Sequence, residues 1–143
     1  MIDALRSPIA IDTAIVIYFI ERHERYAEVV RPLFEAADRG ELELVTSAVT
    51  LLEVLVAPYR AGDVGLAERY EALLTRGRGL TMVDLGRPVI RAASQLRAVH
   101  GLRTPDALQV ASAFGRECNS FLTNDRRLPA LPTLAVHQLR DYV

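Results

Sequence analysis

The chain has 143 residues and a mass of 15.9 kDa, the size of one domain. A chain this long buries close to ~70% of the surface it exposes when unfolded, so its core needs neither disulfides nor a structural metal. Half of its residues are hydrophobic and 24% charged, with a formal net charge of −1 and one cysteine, Cys118, which excludes disorder, an internal disulfide and any global basic field for nucleic acid.

The first apolar run, Ile9-Ala10-Ile11, reads as a strand ended by Asp12, and Thr13 to Ile20 as a helix. The stretch Ala14 to Ile20 falls far short of the ~18 apolar residues of a spanning helix. The segment behind Arg6 carries Asp12 in its middle and meets Glu21-Arg22-His23 where a signal peptide has small residues. A soluble, cytoplasmic protein with no membrane contact is expected. Arg25 to Arg39 reads as a second helix closed by Gly40, and Leu42 to Thr46 as a second strand. Ser47 then caps a helix running to about Val56 and stopped by Pro58. Ala67 to Thr75 is a further helix and Leu80 to Val83 a third strand. Pro88 to His100 is an amphipathic helix with Gly101 at its end, and Thr104-Pro105 opens another, Thr104 as N-cap, that reaches about Glu117. Ser120 to Thr123 is a fourth strand and Thr133 to Val136 a short fifth. Strands alternating with helices predict one α/β domain over residues 1–143, with a mostly parallel, approximately five-stranded sheet covered on both faces.

All seventeen basic residues other than histidine are arginine. Without lysine there is no GxxxxGK[ST] phosphate loop and no Schiff base, which removes P-loop NTPases and pyridoxal-phosphate enzymes. His23, His100 and His137 lack metal-ligand spacing, Cys118 reads as a small core residue, and Gly77-Arg78-Gly79 lacks the third glycine of a dinucleotide loop.

The acidic residues carry the chemistry. Asp12 follows the first strand and Asp125 the fourth, while Glu53 and Asp106 fall in or near the first turns of helices. In a parallel α/β sheet these positions share the edge at which ligands bind, so the four carboxylates are expected to converge. Grouped carboxylates repel, and a hard divalent cation, Mg²⁺ or Mn²⁺, resolves the repulsion and suits phosphodiester hydrolysis. Each residue also has a local reading. Thr50 and Glu53 fit a capping box, Asp106 complements a helix dipole, and Asp125 suits a turn. Asp12 interrupts an apolar stretch, where an unpartnered charge is costly. Arg103, Arg126 and Arg127 flank the acidic positions and read either as phosphate contacts or as solvated surface.

Taken in order, Ile11-Asp12-Thr13, Ser47 to Glu53, Thr104-Pro105-Asp106-Ala107-Leu108 and Thr123-Asn124-Asp125 resemble the motifs of a PIN-domain nuclease, in particular the VapC-type toxins of bacterial toxin–antitoxin pairs. The resemblance implies a three-layer α/β/α fold and an Mg²⁺- or Mn²⁺-dependent endoribonuclease. Asp12, Glu53, Asp106 and Asp125 would be its metal-binding and catalytic carboxylates. Thr123 joins them in the catalytic set, and Thr13 and Thr123, beside the acidic positions, would orient a carboxylate or water. It also implies a homodimer, an RNA substrate and a cognate antitoxin protein whose tail lies over the site. One departure is Arg126-Arg127-Leu128, where relatives often carry an aromatic residue. A metal-dependent phosphatase, a non-catalytic PIN scaffold and a PIN ribonuclease of RNA processing remain the alternatives. Leu51, Leu52, Leu55 and Val56 around Glu53, and Ile15 to Ile20, are more apolar than one buried stripe requires, so these helices are either deeply buried or covered by a second chain, and a homodimer with an antitoxin helix on the remaining apolar surface is expected.

Overall fold

Successive residues of a strand point to opposite faces of its sheet, and in this protein that alternation splits the core in two. The computed structural model describes all residues, 1–143. In chain order it contains β1 (Ile9–Ile11), α1 (Thr13–Ile20), α2 (Ala27–Asp38), β2 (Leu44–Ser47), α3 (Ala48–Ala61), α4 (Val64–Arg76), β3 (Leu80–Val83), α5 (Arg87–His100), α6 (Thr104–Gly115), β4 (Ser120–Thr123) and β5 (Ala135–Gln138). Short 3-10 turns occupy Ile2–Ala4 and Leu139–Tyr142. Ile9 and Ile11 of β1, Leu44 of β2 and Leu122 of β4 enter one apolar cluster with residues of α1 to α4. Ala10, Val45 and Phe121, one position out of phase on the same strands, enter a second cluster with residues of α5 and α6. The three-layer α/β/α arrangement follows, and no helix is long and apolar enough to cross a membrane.

The five strands are all parallel, in the order β3-β2-β1-β4-β5. The chain moves outward from β1 through β2 to β3, then returns to place β4 on the other side of β1. β1 and β4 therefore flank a topological switch point, where the connections on their carboxyl ends diverge and leave a crevice. Ile11 pairs with Leu122 in register, so the next residues, Asp12 and Thr123, emerge side by side at that crevice.

Several boundaries differ from those expected. Helix α3 passes through Pro58 to Ala61. A proline forfeits one amide bond in a helix, and here it lies in the last turns, where Gly62 in the left-handed conformation ends the helix and Asp63 N–H donates to Pro58 O at 2.9 Å. Asp63 caps α4 through Leu66 N–H at 3.0 Å, which starts that helix at Val64 rather than Ala67. Thr104 is the first residue of α6 and not its cap; Arg103 holds that place with no side-chain bond to the first-turn amides. β2 and β5 each lie about two residues later than read, because β2 is set by pairing along β1 and β3, and β5 by pairing along β4. Gly79 leads into β3 with φ +72°, and a Cβ there would stand 2.2 Å from Ala37 O; only glycine admits both the conformation and the approach.

Candidate active site

Four elements deliver the predicted carboxylates to one cleft of about 430 Å³ at the switch point. Asp12, Glu53, Asp106 and Asp125 all line it, together with Thr13, Arg103, Gln109, Asn124 and Arg127, and only two of its twelve lining residues are hydrophobic. Thr123, buried at the end of β4, stands behind it.

Asp12 directly follows β1 and is the N-cap of α1. Its Oδ1 accepts from Ile15 N–H at 3.4 Å, and its Oδ2 accepts a short hydrogen bond from the Thr123 hydroxyl. Burial pushes this carboxyl up from its ordinary 3.8 to about 6, and the charge of Asp106 adds to the effect; the bonds from Thr123 and the α1 amides oppose it. Thr123 Oγ1 also accepts from Asp125 N–H at 2.9 Å, so one hydroxyl spaces the acidic residues of β1 and β4.

Asp125 sits in a turn as expected, its Oδ1 accepting from Arg127 N–H at 2.9 Å. The Arg127 guanidinium adds bonds of 3.0 and 3.1 Å, and Arg103 donates a further one at 3.1 Å. Bonding to Arg127 first, then the charges of Arg127 and Arg103, hold the Asp125 carboxyl below its usual range against the effect of burial. Arg103 also donates to Asp106 at 3.0 Å, so a single guanidinium bridges two carboxylates from α6 and the loop after β4. Of the arginines flanking the acidic motifs, Arg103 and Arg127 thus neutralise the acidic residues of this chain.

Glu53 lies beyond the first turn of α3, and the capping box does not form: Ser47 caps the helix through Val49 N–H at 3.1 Å, and Thr50 is an interior helical residue. Glu53 Oε1 instead accepts from Thr13 Oγ1 at 2.6 Å, which joins the start of α1 to α3 at the cleft wall.

Three lining residues escaped the sequence reading. Tyr18 and Asn124 bond across the cleft at 3.3 Å, and Asn124 Oδ1 accepts from Arg140 N–H at 2.9 Å, which fixes the loop bearing Asp125. Gln109 follows Asp106 by three residues and so shares its helix face. A lone amide in the otherwise apolar Ala107 to Ala113 run, broken only by Ser112, was the available signal.

Solved structures of other proteins share this fold. A toxin–antitoxin complex from Klebsiella pneumoniae matches with a TM-score of 0.66 at 19% identity, covering 89% of this chain and 95% of that one. A DNA-bound VapBC from Salmonella typhimurium matches at 0.65 and 19%, covering 94% and 99%. VapC20 of Mycobacterium tuberculosis, described as a sarcin–ricin loop cleaving toxin, matches at 0.64 and 14%, covering 79% and 86%. No curated protein matches the sequence. Residues 9–134, nearly the whole chain and a span that contains Asp12, Glu53, Asp106 and Asp125, match the PIN domain family, and the protein belongs to that family.

Proposed function

We propose that the protein is a divalent-metal-dependent endoribonuclease and the toxin of a toxin–antitoxin pair. The observation that carries the reading is the convergence of Asp12, Glu53, Asp106 and Asp125, from four separate elements, on one cleft at the switch point of a PIN-family sheet. The anionic donors of that cleft are carboxylates, without cysteine or histidine, a set suited to Mg²⁺ or Mn²⁺. No three of them are gathered closely enough to form a metal site; Arg103 holds positive charge between Asp106 and Asp125, and Thr13 holds Glu53. A donor set that already draws a guanidinium into its middle fits a cation.

In this reading Asp12, Asp106, Glu53 and Asp125 would hold the ion. The chemistry that Mg²⁺ or Mn²⁺ would supply there is Lewis acidity toward a phosphodiester and its attacking water. Thr123 orients Asp12, Thr13 orients Glu53, and a cleft carboxylate accepts the proton of the attacking water. Arg103 and Arg127 stand where an RNA phosphate enters and exchange carboxylate partners for phosphate oxygens. The likeness to a toxin that cleaves an RNA loop supports an RNA substrate with unpaired nucleotides. The purified chain is expected to cut RNA with Mn²⁺ present and to lose all cutting in EDTA. Cutting that persists once the metal is gone, or turnover of phosphomonoesters only, overturns the reading. A short neighbouring reading frame encoding a DNA-binding domain with a polar tail separates a toxin from a nuclease of RNA processing.

Partners follow from the apolar surface. Leu52 of α3 is 66% exposed, and Tyr59 and Val64 are also exposed beside a cleft of about 340 Å³ between α3 and α4; an antitoxin segment is proposed to cover this face, as the toxin–antitoxin complexes of similar fold suggest. Val99 of α5 is 75% exposed, on the helix face that also carries Ala92 and Leu96, and a homodimer is proposed through it. Light scattering should find a dimer at micromolar concentration and a monomer for Val99→Asp. A wild-type chain that is strictly monomeric there overturns the dimer.

A further inference from the structure

Behind Glu53, away from the bulk of solvent, lies a cluster of hydroxyls and one amide whose protons can be assigned one by one. Thr46, Ser47, Thr50 and Gln109 are all buried, from β2, α3 and α6. Each threonine hydroxyl has one proton to give, and a carbonyl oxygen has none. Thr46 Oγ1 lies 2.9 Å from Ile11 O, so its proton goes there. The 2.8 Å contact between Thr46 and Thr50 must then be filled by the proton of Thr50. Thr13 gives its own proton to Glu53 at 2.6 Å. Both Thr50 and Thr13 have thereby spent their protons, and the 3.3 Å contact between them holds none. What both hydroxyls still need is a donor, and Gln109 Nε2 provides it, at 2.7 Å to Thr50 and 3.4 Å to Thr13. The amide cannot turn over, because its Oε1 accepts from Ser47 N–H at 3.3 Å; the reversed amide would set N–H against N–H and leave two oxygens facing oxygens.

We infer that Gln109 is a positioning residue for Glu53, acting through Thr13: its fixed amide compels the Thr13 hydroxyl to donate outward, which anchors Oε1 of Glu53 and leaves Oε2 to the cleft. The functional consequence rests on the reading of this cleft as a hydrolytic metal site. The geometric part does not. An apolar residue at position 109 would satisfy helix packing equally well, yet it would free the hydroxyls of Thr50 and Thr13 to donate to each other, and Thr13 would then release Glu53 for part of the time. Partners of ligating side chains commonly change metal affinity or activity by ~10–100-fold.

The experiment uses the full chain with Gln109→Met, Thr13→Val and the double variant, and Gln109→Glu as a fourth protein whose added oxygen reverses the proton order. All are first compared with wild type by circular dichroism and denaturation. Titration with Mn²⁺ alone is expected to give about tenfold weaker binding for Gln109→Met, and RNA cleavage with Mn²⁺ a kcat lower by about tenfold. In the Thr13→Val background the same substitution is expected to change either quantity by less than about twofold, because the route to Glu53 is already cut. A folded Gln109→Met with wild-type Mn²⁺ affinity and kcat overturns the proposal, as do effects that multiply in the double variant. A third measurement needs no metal and no RNA: the ¹³C shift of the Glu53 carboxyl should move in the same direction for Gln109→Met and Thr13→Val. An unmoved carboxyl in Gln109→Met overturns the positioning role, whatever the protein does to RNA. A moved carboxyl in a chain that cuts no RNA upholds positioning and places the failure with the nuclease reading. Should Gln109→Glu not fold, the methionine and valine variants decide alone.

Discussion

Replacing Asp12 by asparagine is expected to abolish cleavage and, in chelator, to leave a protein more stable at neutral pH than the wild type. The carboxyl is held at about 6 in the folded chain against an ordinary 3.8, so ionising it costs more in the folded protein than in the unfolded one. A carboxyl raised in this way contributes stability that is fully present below about pH 4 and is lost as the pH climbs through 6. The gap corresponds to about 3 kcal/mol at neutral pH. Asparagine removes that cost and remains a good N-cap, its oxygen still available to Ile15 N–H. Against this, the amide nitrogen turned toward Thr123 cannot accept its proton, a loss of about 1 kcal/mol. The net gain is about 1–2 kcal/mol at pH 7, shrinking toward zero and then reversing near pH 4. Urea denaturation in EDTA at the two pH values measures it, beside RNA cleavage with Mn²⁺. A variant less stable than wild type at pH 7 would show that capping and the Thr123 bond outweigh burial at this position.

The fold was legible because its signals are local. Each strand is a short run bounded by a turn or cap residue, and the alternation of Ile9, Ala10 and Ile11 between two clusters is what a strand covered on both faces produces. The misreadings have local causes as well. Pro58 stops a helix only where it costs an amide bond the helix needs, and α3 was already within a turn of Gly62. The capping box at Thr50 matched a pattern of residue types, but Ser47 came first and carried the helix past it, so Thr50 spends its hydroxyl on Thr46.

The convergence of the four carboxylates was readable from the edge rule for parallel sheets, since each follows a strand or lies near the start of a helix. What surrounds them was not. Arg103 pairs with Asp125, 22 residues away, only because β4 returns beside β1. The network of Gln109, Thr50 and Thr13 joins three helices across separations of 37 to 96 residues. No periodicity or spacing carries such contacts; they are consequences of topology.

Asp106 gives the sharpest separation of chemistry from local structure. Asp106→Asn is expected to abolish RNA cleavage while changing the stability of the metal-free protein by less than about 1 kcal/mol. Packed like charges alone would make this substitution stabilising, since two carboxylates at ~4 Å repel by ~4 kcal/mol at an effective dielectric of ~20. Arg103 changes that balance. Its guanidinium lies 3.0 Å from Asp106 and 3.1 Å from Asp125, so the charge of Asp106 is met on one side by a cation. Losing that pair, which is more than half exposed on the arginine side, costs at most about 1 kcal/mol. Losing a negative charge in the first turn of α6 costs about 0.3–1 kcal/mol. Relief of the repulsion that Asp106 exerts on Asp12 works in the opposite direction, and the contributions largely cancel. A role confined to the helix start predicts a different pair of results: a destabilised protein that still cuts RNA. Cleavage with Mn²⁺ and denaturation in EDTA, measured on the same preparations of wild type and Asp106→Asn, distinguish the two, and an active variant would remove Asp106 from the catalytic set.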